Sequence, residues 1–136
     1  MAILKRACAN CRREIDVHVG QRVTDRGVAW SVAYTCPHCG ATIEEDDVGP
    51  APPDVREAIL AADGTYELHL PSSMEPMRAI KVLREALKLS LEETAEYRKR
   101  LPGALATGTH AEMKWLATRL QQDQVSATVT KIEAPA

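Results

Sequence analysis

From Glu14 to Val19 the chain alternates acidic or imidazole residues with Ile15, Val17 and Val19, the period-two pattern of a half-buried strand. Thr24-Asp25-Arg26-Gly27 has turn chemistry, and beyond it Val28, Trp30, Val32 and Tyr34 alternate with smaller residues. The two runs predict a β-hairpin. From Val48 the sequence reads VGPAPP, where prolines remove ladder donors and restrict the residues before them, so a stiff connector is expected. A short helix follows, with Pro53 suited to its first turn, Asp54 and Glu57 near its positive end and Gly64 at its close.

Beyond Gly64, Tyr66, Leu68 and Leu70 alternate with Glu67 and His69 as a strand. Three capping-box patterns then mark helix starts at Ser72 to Glu75, Ser90 to Glu93 and Thr109 to Glu112: the hydroxyl accepts from an orphan N–H and the Glu returns the bond. Ala104 to Ala106 predicts a very short strand, and Val125 to Ile132 alternates Val and Thr as a closing one. The order is therefore strand, helix, helix, short strand, helix, strand. Leu68, Leu70, Ile80, Leu83, Leu87, Leu91, Leu116, Leu120 and Val129 are the expected core.

These patterns predict an α+β chain with a hairpin module over 1–47, a Pro-rich linker and short helix over 48–64, and a small βααβαβ sandwich over 65–136. Composition refines the picture only a little. The chain is 136 residues long, 45% hydrophobic and 4% aromatic with no Phe, so its cores must be aliphatic. The net charge of −2 lacks the basic excess of a protein that wraps nucleic acid. Residues 1–43 nevertheless carry six Lys or Arg against three Asp or Glu, after which Glu44, Glu45, Asp46 and Asp47 form an acidic run, expected to be a solvated strand end or linker. Ala2-Ile3-Leu4 is too short for a secretion signal and no apolar run reaches membrane-spanning length, so a soluble cytoplasmic protein with no membrane partner is expected.

The chemistry lies in the cysteines. Cys8-Ala-Asn-Cys11 and Cys36-Pro-His-Cys39 stand 24 residues apart, one pair at each end of the hairpin. Each C-x-x-C presents two thiolates from one turn, and the hairpin brings the turns together, which predicts one structural Zn2+ per chain with a closed tetrahedral shell. Iron in a rubredoxin-like site is the alternative. Gly40 follows the second pair, where a small residue lets backbone N–H groups approach sulfur; Arg12 holds that place after the first. A module of about forty residues buries too little to fold unaided, and metal binding supplies on the order of 10 kcal/mol in small zinc peptides. His18, His38, His69 and His110 are dispersed and read as structural or exposed. No nucleophile stands beside a base at readable spacing, so the expectation is a protein that is not an enzyme.

The stretches AIKVLREALKLSLEETAE, LPGALATG and HAEMKWLATRLQQDQVSATVTKI, in that order, resemble the C-terminal domain of the bacterial ribosomal stalk protein of the large subunit. The likeness covers residues 65–133, about half the chain. The family's glycines in the helix-helix break are replaced by Lys88 and Ser90, and none stands in Gln121-Gln122-Asp123-Gln124 before the last strand. The family's N-terminal dimerisation helices and hinge are absent, and the cysteine module stands in their place. The resemblance implies a helix that docks translation factors through apolar and basic residues, which fall on Met77, Ile80, Lys81 and Arg84 here. It therefore implies protein partners, translation- or ribosome-related. The alternative is a nucleic-acid- or ribosome-associated protein binding through the ribbon's basic end, Lys5, Arg6, Arg12 and Arg13, with Arg98, Lys99 and Arg100 as a second basic cluster.

Overall fold

The computed structural model describes residues 2–71, 76–101 and 103–132. It is mixed α+β and divides into two compact units, Met1–Gly64 and Thr65–Ala136.

In the first unit the hairpin is the centre of a larger sheet. Strands β1 (Ala2–Ala7), β2 (Glu14–Thr24), β3 (Gly27–Thr35) and β4 (Thr42–Val48) pair antiparallel in that order. Thr24 pairs with Gly27 across the β2–β3 turn, leaving Asp25-Arg26 as a two-residue loop. The Thr24 hydroxyl donates to the Gly27 carbonyl at 2.8 Å and accepts from the Arg26 N–H at 3.2 Å, so the turn is held by its own first residue. The alternating Ile15, Val17 and Val19 of β2, with Val32 and Tyr34 of β3, supply the buried face. Helix α1 (Pro53–Asp63) packs on β1 and β2 and buries Val55 and Ile59 in that same cluster.

The short helix expected to sit in a linker is thus a wall of the first core, because Ala51, Val55 and Ile59 are apolar at a spacing that puts them on one side. Its docking has a polar fastening too. Arg6 of β1 donates from Nε and Nη2 to the two carboxylate oxygens of Asp54, both at 3.0 Å, a bidentate pair in the first turn of α1. The acidic run lies within β4, where Glu44 to Asp47 are all exposed; only Ile43 of that strand packs against the core.

The second unit has the expected order: β5 (Thr65–Leu70), α2 (Pro76–Leu87), α3 (Leu91–Lys99), β6 (Gly103–Gly108), α4 (His110–Gln122) and β7 (Thr128–Ile132). Its three-stranded sheet runs β6-β5-β7 with both pairings antiparallel. Two capping boxes are formed: the Ser90 hydroxyl accepts from Glu93 N–H at 3.1 Å while Glu93 accepts from Ser90 N–H at 3.0 Å, and Thr109 with Glu112 repeats this at 3.2 and 3.0 Å. The third pattern, Ser72 to Glu75, lies outside the described residues, as does Pro102. Leu68, Leu70, Leu83, Leu105, Leu116 and Leu120 are the largest aliphatic contributors to the core, with Leu87 and Val129 only partly buried against it.

Leu91 is a correction: it is 73% exposed. As the first residue of α3, just past the Ser90 cap, it stands on the solvent side, and the residue α3 buries is Thr94, whose hydroxyl donates to the Ser90 carbonyl at 2.7 Å. Two helices of this unit close on a residue that is not glycine. Lys88 (φ 53°) and Gln124 (φ 63°) both take the left-handed conformation that glycine favours after a helix. Leu89 N–H reaches back to Arg84 carbonyl at 3.1 Å and Val125 N–H to Leu120 carbonyl at 2.9 Å, the bond pattern that closes a Schellman end. The helix ends are kept without the residue that makes them easiest, at about 1 kcal/mol each.

Candidate metal centre

The loops β1–β2 and β3–β4 are two copies of one turn. In the first, Cys8 N–H bonds Arg13 carbonyl and Arg12 N–H bonds Cys8 carbonyl, each at 2.8 Å; in the second, Cys36 N–H bonds Ala41 carbonyl at 2.8 Å and Gly40 N–H bonds Cys36 carbonyl at 2.9 Å. Both need a left-handed residue directly after the second cysteine, and Arg12 (φ 65°) and Gly40 (φ 78°) fill that place. Within each turn a backbone N–H aims at the first sulfur: Asn10 to Cys8 Sγ and His38 to Cys36 Sγ, both at 3.4 Å. Such N–H···S bonds orient the thiolate and offset its charge.

The sheet then brings the turns face to face, since β2 and β3 pair directly, β2 starting just after the first cysteine pair and β3 ending just before the second. The four Sγ atoms lie within 4.8 Å of one another. Cys8 and Cys39 sulfurs are 3.7 Å apart, and Cys11 and Cys36 sulfurs 3.6 Å. Four sulfurs at about 2.3 Å from a common ion in a tetrahedron stand about 3.8 Å from one another, so the arrangement fits a single tetrahedral ion. All four cysteines are free thiols, and a disulfide would need about 2.05 Å.

Electrostatics point the same way. The Cys8 thiol is lowered to about 6, chiefly by the backbone N–H of Cys11 and then that of Asn10. Cys39 is lowered as well, first by the Asn10 side chain and then by Ala41 N–H. Cys11 receives a lowering hydrogen bond from Arg13 N–H, yet burial and the other three thiols push it up to about 11. Four thiolates this close repel one another; one divalent cation removes the conflict.

Three supporting groups are not visible in the C-x-x-C pattern. The Tyr34 hydroxyl accepts from Ala9 N–H at 3.1 Å, tying the first turn to β3. Arg13 Nη1 donates to His38 Nδ1 at 3.2 Å, which links the two turns outside the sulfurs and places the proton of neutral His38 on Nε2. The alternation of β3 marked Tyr34 as inward-facing, but no sequence signal gave its hydroxyl a partner. Among the described residues the four cysteines are the one cluster of three or more His, Cys, Asp or Glu that can hold a metal ion. His18 is exposed, His69 pairs with Glu67, and His110 meets the Tyr66 ring edge-on at 4.8 Å.

The other candidate residues are scattered in accessibility. Met77 is 65% exposed, and Lys81 and Arg84 are exposed on the same helix α2. Ile80 is only 4% exposed, so its side chain is not on the accessible strip; with Ala79, Val82 and Leu83 it belongs to the buried side of α2. Of the basic residues near the first turn, Lys5 pairs with Asp16 at 2.7 Å and Arg6 with Asp54. In the second basic cluster Lys99 bonds Glu96 at 3.2 Å, while Arg100 bonds Leu105 carbonyl at 2.9 Å and stacks over Tyr97.

Among the described residues no helix is long and apolar enough to cross a membrane. Comparison with protein-family models, curated proteins and solved structures finds no match for this chain.

Proposed function

We propose that the chain is a non-enzymatic, zinc-binding protein-interaction module, in which a structural zinc ion held by Cys8, Cys11, Cys36 and Cys39 braces the first unit and α2 of the second docks a partner protein. The observation that carries the metal half is the set of four free sulfurs within 4.8 Å at the ends of two matching turns. An all-thiolate donor set favours zinc over hard cations, and four cysteines leave no open position for a substrate or water. The ion would therefore supply folding energy and no chemistry of reaction.

The docking half is supported by the exposed Met77, Lys81 and Arg84 and by the resemblance of residues 65–133 to the stalk protein's C-terminal domain. An apolar tip flanked by two cations suits an acidic partner surface, translation- or ribosome-related if the resemblance extends to function. Lys5 and Arg6 pair with Asp16 and Asp54 within the fold, which offsets part of the positive charge that binding of nucleic acid by the ribbon would use.

Elemental analysis of the reduced, folded protein tests the metal: one zinc per chain is expected, and a folded chain with no metal overturns it. Chelation should melt the first unit and leave the helical signal of the second, whose core is a separate cluster. For docking, partners isolated from the native extract are measured against Lys81→Glu with Arg84→Glu, and against reversal of Arg98 to Arg100. Loss of affinity in the first variant supports the reading; loss confined to the second, with a steep dependence on salt, favours nucleic acid instead.

A further inference from the structure

The four cysteines differ in how far solvent reaches them. Cys8 and Cys36, the first cysteine of each turn, are each 1% exposed; Cys11 is half-buried; Cys39 is exposed. Across the two turns the Cys39 sulfur lies 3.7 Å from that of Cys8, and the Cys11 sulfur 3.6 Å from that of Cys36. A thiolate reacts with a peroxide only where the peroxide can reach it, and it goes on to a disulfide only if a second thiol lies close. Here access and proximity select different cysteines, and the two selected are neighbours from opposite turns.

We propose that Cys39 is the entry point of a peroxide-sensitive switch in the metal centre, closed by Cys8 as the resolving thiol. The proposal rests on the metal reading above and adds regulation to that site. The Cys39 thiolate attacks one oxygen of hydrogen peroxide; the S–O bond forms, the O–O bond breaks, and hydroxide leaves, giving a sulfenic acid. The Cys8 thiolate then attacks the Cys39 sulfur; the S–S bond forms and the S–O bond breaks, and a second hydroxide leaves. Two thiolates have given two electrons to one peroxide, and the two hydroxides take protons from solvent as water. To bond, the sulfurs must close by about 1.6 Å, a side-chain adjustment within turns that already face each other. Cys11 and Cys36 remain, two ligands where four were needed, so the ion is no longer retained.

The fold gives this a directional outcome. The new bond ties the end of β1 to the loop before β4, while the brace between the turns is lost. The core of the second unit draws on no residue of the first, from Leu68 to Val125, and stays packed. A peroxide signal thus loosens one unit alone.

The test uses the full chain as purified, with its zinc content measured first, treated with less than one equivalent of hydrogen peroxide. Released zinc is followed with a chromogenic chelator, sulfenic acid is trapped with dimedone, and disulfides are mapped by peptide mass spectrometry. Expected are one zinc released per peroxide, a Cys39 dimedone adduct exceeding that of Cys11 about tenfold at early times, and Cys8–Cys39 as the first disulfide. Cys39→His keeps four ligands of a kind zinc accepts, and should slow release about tenfold. A first disulfide within either C-x-x-C, a first adduct on Cys11, or disulfide formation with zinc retained would each overturn the switch. Absence of zinc at the start would instead refute the metal reading, and the order of oxidation in that same sample still decides the role of Cys39.

Discussion

Whether α1 belongs to the first core or merely follows it is decided by Ile59. The side chain is 5% exposed and packs in the cluster that contains Val17, Val19 and Val55. Ile59→Ala removes three carbons; at about 0.8 kcal/mol per buried methylene the transfer cost alone is about 2.4 kcal/mol. Incomplete collapse of the site adds to that, within the range of about 2–5 kcal/mol found for such truncations. The assay is urea unfolding of the metal-loaded chain by fluorescence in a Trp115→Phe background, because Trp30 lies in the first unit and Trp115 in the second. With a slope of about 1.5 kcal/mol per molar urea, the midpoint should fall by about 1.6–3.3 M. Glu57→Ala, on the exposed side of α1, is the control and should shift it by less than about 0.3 M. If Ile59→Ala behaved like the control, α1 would be a tether and the four-stranded sheet would be holding its buried face by other means.

The N-cap at Thr109 is 1% exposed, so Thr109→Ala should destabilise the second unit by about 1–2 kcal/mol in thermal unfolding; an unchanged midpoint would show the box to be redundant. Leu83→Ala, fully buried, should cost about 3–4 kcal/mol by the same measurement, whereas Leu91→Lys should stay within about 0.5 kcal/mol, and a large loss there would mean the exposed placement is wrong. The Glu93 carboxyl is held below the ordinary carboxylate range by Ser90 N–H and then by the Ser90 hydroxyl. Its capping contribution is therefore complete above the ordinary value of about 4.3 and is lost as pH falls through the lower folded one. The Ser90 amide resonance should report that lower midpoint, and a titration at or above the ordinary value would contradict the bond.

The inner parts of the fold were legible and the edges were not. Ile15, Val17 and Val19, or Leu68 and Leu70, sit on strands with neighbours on both sides, so every second residue is buried and the alternation is written in the sequence. Strand β4 gives only Ile43 to a core, and β1 gives Ala2 and, in part, Leu4, so neither carries enough pattern to be recognised. The role of α1 was hidden for a different reason: Pro50, Pro52 and Pro53 mark a connector, and nothing local says that the helix after it folds back. The metal centre was the most legible feature because each C-x-x-C needs only its own turn. Which sulfur meets which across the turns depends on sheet register, and Tyr34, Arg13 and His38 depend on it too. Leu91 misled because a leucine directly after a cap has helical sequence context before the helix has turned it inward.

Strand β4 is an edge of the four-stranded sheet, with no further strand paired to it among the described residues, and four of its seven residues are consecutive carboxylates. An exposed edge of that length is an invitation to any passing strand, and the commonest passing strand in a concentrated solution is the same strand of a second copy. Two β4 strands laid side by side would bring eight negative charges together, which makes the twin the worst available neighbour. The acidic run thus works as a lock against self-recognition. The lock is made of side chains alone, so exchanging those four carboxylates for their amides would leave the strand in place and let this edge begin to recruit its own kind.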